Sequence, residues 1–334
     1  MNRMYHAILG MAALLLAQGV QAQNVPKKMY LKVAGGYFFS VSPGQFPDVG
    51  PYPPRDIRNT VNPATGAVTE VFERVLTGSY GEGLRGGLTV GYNINKHIAI
   101  EGTFNYFHSQ ENLMTRNVSV FEGLNKDAAR IESDGHVNAI DFAPSLVLSP
   151  GYEKFNPYVR FGFVVPLWGK LIIETEAMRM SRPAGVPLPA GTMVKTDISR
   201  TEEIKPNPTF GFQGAMGFNY NVSRRIDIFA EAEYRNVPVR SKEKEVTKYS
   251  ETNNVVNVQS GDVLQQLPGR GIDDLSHAER YTTYVTVLDE NSNTPTGSTG
   301  AQTNYKNDNA PANDLKSYIN IGGLGLNAGV RIKF

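Results

Sequence analysis

The chain has no cysteine among its 334 residues, so neither a disulfide nor a cysteine-linked lipid anchor is open to it. Neither sign of charge is in excess: 33 Lys and Arg stand against 32 Asp and Glu, with no long run of one kind. That balance leaves no electrostatic footprint for a nucleic acid. Long apolar runs are missing too. Beyond the first two dozen residues no segment offers the roughly 20 apolar residues that a spanning helix needs. The one sustained apolar stretch, Ile8 to Val20, follows a weakly positive start at Arg3 and precedes Val20-Gln21-Ala22. It reads as a secretory leader over residues 1–22, cleaved near Ala22.

What the sequence has instead is alternation. Side chains of a strand point to opposite faces in turn, so a period of two marks a sheet with two unlike sides. Eight segments carry it: Met29 to Phe38, Leu84 to Ile94, Ile98 to Phe107, Asn138 to Leu148, Tyr158 to Leu167, Phe210 to Tyr220, Ile226 to Tyr234 and Tyr318 to Phe334. In the last, Leu324, Leu326, Ala328, Val330, Ile332 and Phe334 share a face, opposite Gly325, Asn327, Gly329, Arg331 and Lys333. Most are close to the 9–11 residues of a tilted spanning strand. Three connections are turn-sized, around Asn95-Lys96, from Ser149 to Pro157 and from Asn221 to Arg225. The other four, about 39–83, 108–137, 168–209 and 235–317, are long.

Strict alternation of short and long connections predicts an all-β, eight-stranded antiparallel transmembrane barrel over residues 23–334. Its short turns would be periplasmic and its long loops extracellular. A soluble barrel with a greasy cavity is the rival. Against it, the non-apolar face is mainly Gly, Ala, Thr and Asn, which suits a crowded interior better than a solvated surface. Tyr92, Tyr106, Tyr158, Phe218, Tyr220 and Phe334 lie near strand ends, where aromatic girdles belong.

These strands and the carboxyl-terminal Phe334 resemble the outer-membrane β-barrel domain family, the OmpA/OmpX-type and OmpW-like eight-stranded barrels. The resemblance covers the strands and not the loops. It implies the outer membrane as location, lipid and lipopolysaccharide as surroundings, and the envelope's barrel-assembly machinery as a partner that reads Phe334. No peptidoglycan-binding domain is expected after the last strand, so the resemblance does not extend to that activity of longer OmpA-type proteins.

Within the loops, Leu171 to Met178 and Met193 to Ile204 flank the turn-like 181–185 and predict strands five and six continuing as a hairpin above the membrane. The polar stretch Asn291 to Asn309 is expected to be mobile. Tyr281 to Leu288 is β-prone. Crossing the membrane with a partner, it would make ten strands, but no further short turn supports that.

Face assignment also predicts a lumen. Lys32, Glu101, Arg160, Glu231 and Arg331 point inward at similar heights and should form an ion-pair layer. Arg85, Asp141, Glu233 and Lys333 are further inward charges. Such a layer is either a structural plug or a gated path for small hydrophilic solutes, and an eight-stranded lumen favours the plug. Adjacent His108 and Ser109 fall on opposite faces of a strand, unlike the pair two positions apart in outer-membrane lipid A deacylases. No His pair has metal-ligand spacing, and Asp273-Asp274 and Asp289-Glu290 lack an EF-hand framework. No catalytic site, metal or cofactor is expected. The sequence points to a structural or surface-interaction role through the loops, with a small porin-like channel second and a lipid-modifying enzyme a distant third.

Overall fold

In the computed structural model, which describes residues 28–41, 43–183, 187–207 and 209–334, alternating apolar and small or charged residues form eight strands of one closed barrel. These are β1 (Met29–Phe39), β2 (Gly83–Asn93), β3 (Ile98–Ser109), β4 (Asp127–Leu148), β5 (Phe155–Ser181), β6 (Gly211–Asn221), β7 (Ile226–Asn236) and β8 (Leu324–Lys333). Each pairs antiparallel with the next. β8 returns to β1 from Tyr30↔Lys333 to Phe39↔Leu324, so no edge is left in the barrel wall. Short turns at 94–97, 149–154 and 222–225 close one end, and the long connections leave the other.

The outside of the wall is greasy: Val33, Val90, Phe104, Phe163, Phe212, Met216 and Leu326 are all exposed. The inside holds the buried charges Lys32, Arg85, Glu101, Asp141, Arg160 and Glu231. A water-soluble barrel would invert this arrangement, so the soluble-barrel alternative fails. Aromatics Tyr92, Tyr106, Phe218 and Tyr220 do face outward near strand ends. Tyr158, assigned above to that girdle, is buried instead. It shares the inward parity of Arg160, two residues on. Interior glycines make room for inward rings, with Tyr30 lying over Gly91 and Phe38 over Gly325.

β4 and β5 run past the end of the barrel for another ten residues or so, paired from Leu171↔Val137 to Arg179↔Ala129. Thr192–Asn207 joins β5 from Leu171↔Ile204 to Ser181↔Val194, the expected hairpin, although residues 184–186 of its turn lie outside the described residues. The sheet spreads further through Pro238–Asn257 and Val263–Gly271 on one side. On the other side come Asn112–Phe121, Arg55–Val61 and Val68–Val75. The long connections are therefore β-structure continued above the barrel.

Two expectations for the last connection change. The stretch 291–309 is folded: Pro295–Thr299 pairs with Gln302–Tyr305, and the Asn293 amide donates to the carbonyl oxygens of Asn307 at 2.8 Å and Ala310 at 3.1 Å. Asn and Ser bond the backbone locally there, and low hydrophobicity gave no hint of it. Tyr281–Val285 lies parallel to Ala312–Leu315 and antiparallel to 243–245, in the extension rather than across the membrane. The last strand is also shorter than read: Tyr318–Asn320 pairs with 238–240, and β8 starts only at Leu324.

Candidate functional site: a filled lumen beneath an apolar mouth

Strand parity brings four of the five expected layer residues together. The Lys32 ammonium lies 3.4 Å from Glu101 and 3.9 Å from Glu231. The Arg160 guanidinium meets Glu231 at 2.5 Å and Glu101 at 3.8 Å. Two inward tyrosines complete the carboxylates: Tyr30 donates to Glu101 at 2.9 Å, and Tyr158 donates to Glu231 at 2.6 Å. Arg331 is not part of this group. It stacks on the Tyr30 ring at 3.8 Å and faces Asp227 at 3.9 Å, with Lys333 at 2.7 Å from the same carboxylate. Tyr30 lies between Arg331 and Glu101, which keeps that guanidinium at the short-turn mouth.

A second charged cluster lies one step further from the short turns. Asp141 accepts from Arg85 at 3.1 Å, from Arg235 at 2.9 and 3.0 Å, and from the Asn105 amide at 2.8 Å. The Phe38 and Phe107 rings flank Arg85, with its guanidinium 4.5 and 4.6 Å from their centres. Gln213 accepts from Arg235 at 2.7 Å and donates to Ser145 at 2.8 Å. Glu233 joins the two clusters, 3.4 Å from Arg160 and 3.0 Å from Arg235. Four cations (Lys32, Arg85, Arg160, Arg235) thus face four carboxylates (Glu101, Asp141, Glu231, Glu233) in one connected network. A cavity of ≈20 Å³ beside it has room for about one water.

Parity could have found every residue the sequence reading missed. Arg235 continues the series Glu231, Glu233, and it was lost because strand seven was ended at Tyr234. Tyr30 and Asp227 share the inward side of Lys32 and Glu231.

Among the described residues, the network is bounded on both sides. On the short-turn side a vestibule of ≈380 Å³ ends at Tyr30, Lys32, Glu101 and Tyr158. On the other side the first long connection folds into the barrel mouth. Phe46, Val49 and Tyr80 pack there with Phe107, Met114, Val164 and Ile173 in a buried apolar core. Four described histidines are dispersed, apart from a His108–His136 ring contact at 5.5 Å. His108 bonds Asn138 at 2.8 Å on the outer face, while Ser109 is buried inside, receiving the Val137 amide at 2.7 Å.

A closed eight-stranded wall, greasy outside and charged within, has its counterpart among known families. The outer membrane protein beta-barrel domain matches residues 8–260. The chain belongs to this family. The match stops before β8, so the strand that closes this outer-membrane barrel lies beyond the matched residues. No curated protein matches the chain. In outer-membrane barrels generally, short turns are periplasmic and long connections extracellular.

Proposed function

We propose that this outer-membrane barrel is a non-conducting, non-enzymatic protein that presents its extracellular β-sheet as an interaction surface. The filled lumen carries the reading. An eight-stranded barrel is just wide enough for side chains to fill. Here a balanced network of four cations and four carboxylates fills it, capped by the apolar core around Phe46 and Tyr80. Water-filled transport would require breaking buried pairs and displacing that core. The extension supports the other half of the proposal: its two outer strands, Val68–Val75 and Val263–Gly271, each have one side without a described strand partner. Such edges and the tips above them are where a host surface, a neighbouring protein or lipopolysaccharide would be met. In this reading the leader over 1–22 directs export, and Phe334 is recognised by the assembly machinery.

Planar-bilayer recording on the refolded protein tests the proposal. The expected result is no steady unitary current. A second reading, a gated path, draws on the two longer contacts, Lys32–Glu231 at 3.9 Å and Arg160–Glu101 at 3.8 Å. A stable wild-type current that changes in Glu101→Gln, with unfolding unaffected, would establish the gate and overturn the plug.

A further inference from the structure

The barrel wall has a side opening where its strands part. β5 is paired with β6 only as far as Val164↔Gly211, and with Thr192–Asn207 only from Leu171↔Ile204 onward. Between them, residues 165–170 have no described ladder partner on that side. Proline explains the break, because it cannot donate to a ladder and belongs at edges and bulges. Pro166 sits at the β5 bulge, Pro206 at a register shift, and Pro238 at the start of the strand opposite.

Behind the opening lies a cavity of ≈360 Å³, within the usual range for small-molecule sites. Its inner wall is apolar: Val137, Ala139, Leu171, Ile204, Val239 and Ile321. Leu167 and Trp168, both half exposed, stand at the entrance on the level where the greasy barrel wall ends. The rim is cationic. Lys170, Lys205, Arg240 and Lys242 face only two lining carboxylates, Glu203 and Glu243. Lys170 is satisfied by Glu203 at 2.6 Å, whereas Lys205 and Lys242 share Glu243 at 3.9 and 3.8 Å. Arg240 makes no ion pair among the described residues and stacks on Tyr318, its guanidinium 5.5 Å from the ring centre.

We propose that this side pocket binds a single-chain amphiphile with an anionic head, a long-chain fatty acid. The acyl chain would enter past Trp168 and lie against Ile204 and Val239, with the carboxylate on Arg240 and Lys242. The size of the cavity argues for one chain rather than a many-chained lipid. The proposal is independent of whether the lumen conducts.

Trp168 is the only tryptophan of the chain, so its fluorescence reports on this pocket alone. The full-length protein, refolded in phosphatidylcholine vesicles, is titrated with a brominated stearate, whose bromines quench a nearby indole. Saturable quenching, reversed by unlabelled oleate, is expected. Val239→Phe should remove the saturable part, and the double variant Arg240→Gln, Lys242→Gln should weaken it about tenfold or more, through the loss of both charge-assisted contacts. A brominated alcohol of equal length should bind about tenfold more weakly than the acid to the wild type. Folding of each variant is checked by heat-modifiable mobility. If Val239→Phe does not fold, the rim variant and the alcohol decide. Quenching that rises without saturation, or is equal for acid and alcohol, would overturn the proposal. So would displacement by lipopolysaccharide as effective as by oleate, which would give the pocket to a lipid of the leaflet.

Discussion

Glu101 is buried and held by a tyrosine hydroxyl and a lysine, and its neutral isostere would leave Lys32 as a buried cation short of a partner. Breaking such a pair costs about 3–5 kcal/mol, more than the pair itself contributes. Glu101→Gln should lower stability by that amount in urea unfolding from lipid vesicles, with the lumen still closed in bilayer recordings. A different acid lies in the sheet that continues above the barrel. Glu202 is fully buried on Thr192–Asn207, and burial alone would raise its pKa. Arg200 at 3.2 Å and Lys244 at 2.8 Å outweigh that and hold it down at about 2. An unfolded glutamate titrates near 4.5. The charged form therefore stabilises the folded sheet fully above pH 4.5, and the contribution drains away as pH falls towards 2. Protease protection of the sheet in vesicles should hold at about pH 5 and decline through that window. Glu202→Gln should be less protected at about pH 5 and lose most of the decline.

β8 shows what one strand can and cannot reveal. Its lipid face, lumen face and closing role follow from the period of two, and Phe334 adds a last rung, its amide donating to the Met29 carbonyl at 2.9 Å. Deleting Phe334 removes that rung and the terminal aromatic together. Assembled, heat-modifiable protein in the outer membrane should fall well below the level left by deleting a single residue from the 296–299 hairpin arm. The number of strands, their faces and seven of the eight members of the ion network, all but Arg235, are legible because lipid forces a side chain's polarity to match its parity. Where lipid no longer applies, the pattern blurs. The continuation of β4 over 127–137 lacks that two-sidedness and reads as loop, whereas the continuation of β5 is expected from Leu171 to Met178. Arg235 and Tyr158 were misplaced for a related reason: strand ends were set by the greasy face, although inward parity continued. The folded 291–309 segment is held by side-chain to backbone bonds that leave no periodic trace.

At the scale of the molecule, one end is nearly bare and the other carries the greater part of the non-barrel chain. Single cysteines at Asn125 and Gly300, both exposed in the extension, should react with an impermeant thiol reagent on intact cells. Cysteines at Lys96 and Glu153, exposed in the short turns, should react only after the envelope is opened. Surface labelling at Lys96 would invert the topology. β5, 27 residues long, links the two ends without interruption other than its bulge. From Leu171 to Ser181 it stands clear of the barrel, ~35 Å along the strand at roughly 3.3 Å per residue, or ~25 Å of height at a tilt of about 40°. β4 and β5 thus form a paired stalk that sets how far the continued sheet stands above the barrel. Side-chain parity survives only if residues are removed in pairs from both partners, so the stalk's height can change only in steps of ~6.6 Å along the strand. Reach, for this protein, is a quantised property.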